Sequence, residues 1–294
     1  MSRKPFSTEE KNAIQGGTLY LVATPIGNLS DLSERAVKVL SEVDFVAAED
    51  TRNTGKLLSC LGISRPMVSY YEHNKKERGP QIVERLLAGE SCALCSDAGT
   101  PAISDPGADL VALCAEKSIP VTSVPGCCAA ITALTLSGLP TARFAFEGFL
   151  PVDNRNRRQR LDALKKQTVT MILYEAPHKL RATLGDLAAT LGEMRPIALC
   201  RELTKRNEEI FRTTVSGALA RYEGEDPRGE YVLIVGGGEG LPESDETAAR
   251  AALPPAEHVA YYEKAGLSRM DAIKAAAKER GMPKNELYRL VNTK

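Results

Sequence analysis

From Thr18 to Val124, short apolar runs alternate with longer amphipathic stretches. Leu19-Tyr20-Leu21-Val22-Ala23, Phe45-Val46-Ala47-Ala48, Met67 to Tyr71, Cys92-Ala93-Leu94-Cys95 and Val121 to Val124 read as buried strands. Between them the spacing predicts a helix capped by Ser30 or Asp31 with Leu32, Ala36, Val39 and Leu40 on its apolar face. Further helices are predicted over Thr51 to Leu61, closed by Gly62, and over Gln81 to Leu87 and Ala108 to Lys117. Strands that alternate with helices in this way predict a parallel sheet covered on both faces.

The pattern changes after Val124. A helix from Ala129 to Leu136 follows Pro125-Gly126, and Phe144 to Leu150 alternates as a half-buried strand. A basic helix is expected over 154–166. Strands are expected at Thr168 to Tyr174, Pro196 to Cys200, Glu208 to Val215 and Glu230 to Val235, with helices from Pro177 to Leu191 and Ser216 to Tyr222. The pair around Asn207 suits an antiparallel arrangement. Gly236 to Gly240 reads as a linker. Helical runs Ala256 to Ala265, Arg269 to Arg280 and Lys284 to Val291 then suggest a helix-turn-helix-like module. The expected organisation is a disordered leader over 1–16, an N-terminal α/β domain over 17–124, a mixed α/β domain over 125–238, a linker over 239–255 and a helical module over 256–294.

The chain has 294 residues, is 43% hydrophobic and 26% charged, and carries no formal net charge. These values are those of a soluble globular protein and exclude a generic polyanion binder. Charge is nonetheless concentrated locally. Arg155, Arg157, Arg158, Arg160, Lys165 and Lys166 outnumber Asp153 and Asp162, and basic residues again prevail over 264–294. Two basic patches permit a localised contact with nucleic acid, although each taken alone also suits a solvated helix face. No apolar run is long enough to span a bilayer, and the polar start lacks a secretion signal. The seven cysteines then imply a reducing, cytoplasmic setting. Cys92 and Cys95 sit inside a strand with no second pair and no histidine at ligand spacing, so they read as buried thiols, and no metal is expected.

The run from Ser96 to Gly107 holds two glycines, two prolines and two aspartates in a strand-to-helix loop, where open α/β sheets bind small ligands. Helix capping by Asp105 with Pro106 at the first turn explains only its last residues. Asp97, Gly99, Thr100 and Pro101 mark it as a binding loop. After strand one, Ala23-Thr24-Pro25-Ile26-Gly27-Asn28 lacks the G-x-G-x-x-G of a nicotinamide enzyme.

Leu21 to Leu29, Ala48-Glu49-Asp50-Thr51-Arg52, Ser96 to Gly107, Val124-Pro125-Gly126, Phe146 to Pro151, Tyr174-Glu175-Ala176-Pro177-His178 and Arg201-Glu202-Leu203-Thr204-Lys205 stand in one order. Together they resemble the tetrapyrrole methylase-like superfamily of S-adenosylmethionine-dependent methyltransferases. Within it they resemble the branch of bacterial 16S ribosomal RNA (cytidine-1402)-2′-O-methyltransferases. The resemblance covers about residues 17–238. It implies two α/β domains with an interdomain cleft holding a folded S-adenosylmethionine, a homodimer, and a cytidine ribose in the decoding centre of the small ribosomal subunit as substrate. The G-x-G-x-G-D loop of the tetrapyrrole-acting members is absent after strand one, which favours the RNA branch. A tetrapyrrole C-methyltransferase and a non-catalytic RNA-binding protein of ribosome assembly stand as alternatives.

On that resemblance, Pro25, Asp97, Ala98, Gly99, Thr100, Ile103, Gly126, Ala129, Tyr174, Glu175 and Leu203 are candidate cofactor contacts. Glu175, His178 and Asp105 are candidates for the general base, with Glu49, Asp50 and Glu202 as further strand-end carboxylates. Arg52, Arg155, Arg157, Arg158, Arg201 and Lys205 are candidate RNA contacts. Phosphate contacts of this kind position a nucleic acid without reading its sequence. The neutral net charge suggests an assembled small subunit rather than free RNA.

Overall fold

A computed structural model describes residues 13–238, 253–280 and 282–292. The chain divides into two compact units, Met1–Asp162 with Val169–Gly236 and Ala163–Thr168 with Gly237–Lys294.

The first unit holds two five-stranded sheets. Strands β1 (Leu19–Val22), β2 (Phe45–Ala48), β3 (Met67–Ser69), β4 (Cys92–Cys95) and β5 (Val121–Val124) form an all-parallel sheet in the order β3-β2-β4-β1-β5. Alternate side chains enter two separate cores. Leu19, Phe45, Ala47 and Leu94 meet Ile82, Leu86, Leu110 and Cys114 from helices α3 (Lys75–Leu87) and α4 (Gly107–Glu116). Tyr20, Val22, Val46 and Ala93 meet Val39, Leu40 and Leu58 from helices α1 (Glu34–Glu42) and α2 (Thr51–Cys60). Burial on both faces explains why the three central strands β1, β2 and β4 are apolar at every position.

The second sheet comprises β6 (Phe144–Phe149), β7 (Thr170–Glu175), β8 (Pro196–Arg201), β9 (Glu209–Thr214) and β10 (Tyr231–Val235), ordered β6-β7-β10-β8-β9. Only β6 and β7 run parallel; β7–β10, β10–β8 and β8–β9 are antiparallel, including the hairpin expected around Asn207. Helix α5 (Ala129–Ser137) packs Ala130, Ala133 and Leu134 onto Ile172, Ala198 and Ile234 of this sheet. It ends at Gly138, whose φ of 75° is left-handed. Helices α6 (Asn154–Leu164), α7 (Pro177–Leu191) and α8 (Val215–Gly224) complete the order.

In the second unit, α9 (Pro255–Lys264), α10 (Arg269–Glu279) and α11 (Lys284–Asn292) share a core of Val259, Ile273, Ala276 and Leu287. His258 is fully buried there, with Nε2 at 2.8 Å from Glu279 and Nδ1 facing the Arg280 guanidinium. Among the described residues, no helix is long and apolar enough to cross a membrane.

Four local expectations are corrected. Ser33, not Ser30 or Asp31, caps α1 by accepting the Ala36 N–H, while residues 29–31 form a separate 3-10 turn. Helix α3 begins at Lys75 and carries Pro80 in its interior. Asp105 does not sit at the N-cap of α4; its carboxylate reaches the Gly107 N–H from one residue further back. The leader is shorter than expected, because Ile14 packs against the β1 core and the Gln15 N–H donates to Tyr20 Oη. Residues 1–12 and most of the expected linker lie outside the described residues.

Candidate active-site cleft

The strands of the first sheet end in loops that are tied to one another. Thr24 and Gly99 exchange two backbone hydrogen bonds of 2.9 and 3.1 Å, which joins the loops after β1 and β4. Thr100 Oγ1 donates to the Cys127 carbonyl at 2.8 Å and attaches the loop after β5. Gly99, with φ at 83°, leaves room for a Cβ only 3.2 Å from Ile26. At Gly126 a Cβ would stand 2.9 Å from that of Ala23. Gly99, Thr100 and Gly126 therefore hold the loops together, and none of the three lines the cleft they support. The Gly99 N–H, occupied by the Thr24 carbonyl, is not available to a ligand.

The loop after β4 is held in a strained form. Ala102 and Ser104 have left-handed φ values of 68° and 63°. The Asp105 carboxylate accepts the N–H groups of Ala102, Ile103 and Gly107 and so fixes this shape. With three amides on its oxygens, Asp105 is a brace for the loop, and its reading as general base is withdrawn.

A cleft of about 580 Å³ opens beside this loop, between the ends of the two sheets. One wall is Ile26, Glu49, Asp97, Ala98, Ile103 and Asp105. The other is Ala129, Phe149, Tyr174, His178, Leu203 and Lys205. Of the expected residues, Asp97, Ala98, Ile103, Asp105, Ala129, Tyr174, His178, Leu203 and Lys205 are thus brought together. Tyr174 packs edge-on against Phe146 and Phe149 with ring centroids 5.2 and 5.5 Å away. Burial pushes its phenol up to about 12, so it lines the cleft as a neutral hydroxyl.

Glu49 was read only as one of several strand-end carboxylates, and it is the acid the structure brings forward. Its side chain accepts the Asp97 N–H at 3.2 Å across the ends of β2 and β4. Burial raises its pKa, and the negative charges of Asp97 and Asp105 act in the same direction, against that hydrogen bond. Ser104, Phe149, Glu230 and Val232 also line the cleft without having been singled out as contacts, as does Glu202, read above as a further strand-end carboxylate. They arrive through strand order and a β-bulge at Gly148, neither of which leaves a local sequence signal.

Several expected residues turn elsewhere. Glu175 is buried; its carboxylate accepts from Thr183 Oγ1 and from the Ala176 N–H at the start of α7. It faces away from the cleft and is removed from the general-base and cofactor sets. Pro25 lines a smaller neighbouring hollow. Arg157 is also turned inward, bonded to Asp186 at 2.7 Å and to Thr183 at 2.8 Å, and so is not free for RNA. Arg201 pairs with Glu209 at 3.3 Å. Lys205 bridges Glu202 and Glu230 at 2.9 and 2.7 Å. Arg52 is bound to Asp50, which that contact holds down at about 2, yet its side chain remains 85% exposed. Arg155 and Arg158 stay exposed on α6.

The model of the Tetrapyrrole (Corrin/Porphyrin) Methylases matches residues 18–219. The chain belongs to this family. It is 47% identical over 276 residues to the ribosomal RNA small subunit methyltransferase I of Synechocystis sp., covering 93% of this chain and 97% of that one. The protein of the same name from Bacillus subtilis is 44% identical over 98% of both chains. Among solved structures, the uroporphyrin-III C-methyltransferase of Thermus thermophilus complexed with S-adenosylhomocysteine shares the fold. Its TM-score is 0.52 at 20% identity, covering 74% of this chain and 97% of that one.

Proposed function

We propose that this chain transfers a methyl group from S-adenosylmethionine to the ribose 2′-hydroxyl of a cytidine in 16S ribosomal RNA, within the small ribosomal subunit. The observation that carries this reading is the alignment, over nearly the full length of both chains, with relatives named for small-subunit ribosomal RNA methylation. The cleft fits the donor. Glu49 and Asp97 are carboxylates suited to an ammonium and a sulfonium, while Ile26, Ile103, Leu203 and Tyr174 offer apolar surface to a nucleoside. Its volume of about 580 Å³ lies in the range of small-molecule sites.

When bound there, S-adenosylmethionine supplies an electrophilic methyl carbon. The 2′-oxygen forms the new C–O bond as the C–S bond breaks with its electron pair going to sulfur, and the hydroxyl proton leaves to a base. Glu49 takes that proton in this reading: burial and the neighbouring charges raise its pKa, so its carboxylate binds a proton more firmly than an ordinary one. The fixed loops orient donor and acceptor for an in-line approach, which is where most of the acceleration in such a transfer originates. Arg155 and Arg158 on α6, together with the basic helices α10 and α11, contact phosphates of the subunit. Two copies pair in solution, as the family resemblance implies; the exposed Phe144, Phe146 and Val152 on and after edge strand β6 supply apolar surface for such a contact. The setting is the cytoplasm, where the subunit is found.

The test is a mass map of 2′-O-methyl groups in 16S RNA from cells with and without this protein, paired with methylation of 30S particles and naked RNA in vitro. Loss of a single cytidine mark, restored on the particle by purified protein, is expected. An unchanged map overturns the reading, and equal methylation of naked RNA overturns the assembled particle as substrate.

A further inference from the structure

A second hollow of about 250 Å³ lies next to the cleft and shares Ser96 and Asp97 with it. Its other walls are Pro25, Gly27 and Leu29 from the loop after β1 and Asn53, Thr54 and Leu57 from α2. We propose that this hollow receives the unstacked base of the acceptor nucleotide, with Asn53 reading its hydrogen-bonding edge. The assignment rests on the functional reading above and adds a place for the substrate to it.

Position is the first argument. Ser96 and Asp97 form a rim common to both spaces, so a nucleoside with its base in the smaller one lays its ribose across the rim beside Glu49, which holds the Asp97 N–H. Size is the second. The hollow has less than half the volume of the cleft, which suits one base out of its stack and no paired helix. Enzymes that bring one nucleotide of a nucleic acid to a fixed active site extrude it into pockets of this kind.

Chemistry is the third argument. Leu29 is 46% exposed, an apolar side chain left open beside Pro25 and Leu57, and it offers a face to an aromatic ring. Asn53 is exposed, and among the described residues its side-chain amide meets no protein partner. An amide presents one donor and one acceptor side by side, the complement of the adjacent amino group and ring nitrogen of cytosine. The wall is also rigid. A Cβ on Gly27 would lie 2.4 Å from the Lys205 side chain and 2.9 Å from Thr204 Oγ1, so this loop is pressed against the second sheet's 202–205 segment.

The test uses the full-length protein, 30S particles lacking the mark, and calorimetry with S-adenosylmethionine. N53A is expected to raise KM for the particle by about tenfold or more, the discrimination a bidentate base contact provides, with cofactor affinity unchanged. L57W, which fills the hollow, is expected to abolish transfer to the particle while still binding S-adenosylmethionine and melting cooperatively. An N53A protein with wild-type KM, or an L57W protein that methylates normally, overturns the assignment. Loss of cofactor affinity in either folded variant also overturns it, by giving the hollow to the donor. A wild-type protein that methylates no particle overturns the functional reading itself, and the pocket with it.

Discussion

The Asp97 backbone N–H donates to the Glu49 carboxylate at 3.2 Å, linking the ends of two neighbouring parallel strands at the mouth of the cleft. Burial, and then the charges of Asp97 and Asp105, raise the Glu49 pKa above its ordinary 4.5. A carboxyl raised in the folded state favours folding fully below the unfolded value and loses that contribution as pH rises through the folded value. Above the unfolded value, Glu49 is therefore a cost to the fold. E49Q is expected to melt above the wild type near pH 7, with the gap closing below about pH 4. Its methyl-transfer rate should fall and lose the acid limb of its pH profile. Thermal melts across pH and single-turnover rates check both statements.

Glu175, Thr183, Arg157 and Asp186 form one continuous chain of hydrogen bonds beneath the cleft wall. T183V leaves a buried carboxylate and a guanidinium each short of a partner. It should cost about 1–3 kcal/mol in denaturant unfolding, while affinity for S-adenosylmethionine stays at the wild-type value. A large affinity loss with unchanged stability would return Glu175 to the binding site.

Gly126 allows the loop after β5 to lie directly on Ala23. The Cβ of G126A would stand 2.9 Å from that of Ala23, with backbone carbonyl and Cα just behind it. The change is expected to cost about 1–3 kcal/mol through overpacking and to weaken cofactor binding, because the displaced loop carries the start of α5. Calorimetry and urea melts read the two effects separately.

Arg155 and Arg158 are exposed on α6, whereas Arg157 between them is bonded to Asp186. The double variant R155A/R158A should bind 30S particles more weakly. Its salt-dependence slope should fall by about 2, because each arginine neutralises one phosphate. R157A should lower the melting temperature instead. Binding measured over a series of salt concentrations distinguishes the two outcomes.

The order of strands and helices was legible because the first sheet is buried on both faces at its centre, so β1, β2 and β4 are uninterrupted apolar runs. The loop from Ser96 to Gly107 stood out for the same local reason: its glycines, prolines and aspartates are turn chemistry. The start of α3 was not legible, since Lys75 to Arg78 are polar and Pro80 suggests a break, yet the helix runs through Pro80 and gives up one backbone hydrogen bond there. Glu49 escaped selection because its place in the cleft depends on β2 lying beside β4, a pairing between residues far apart in sequence. Asp105 and Gly99 were found as residues of the site but with the wrong task, because sequence shows a polar group or a flexible backbone and not what already occupies it.

The two-way bridge between Thr24 and Gly99, with the Thr100 bond to Cys127, makes one piece of three loops that could have moved independently. A ligand entering the cleft meets a surface that is already assembled and surrenders little chain entropy when it binds. The heat-capacity change of binding should then track the apolar area the ligand itself covers, with no contribution from coupled folding.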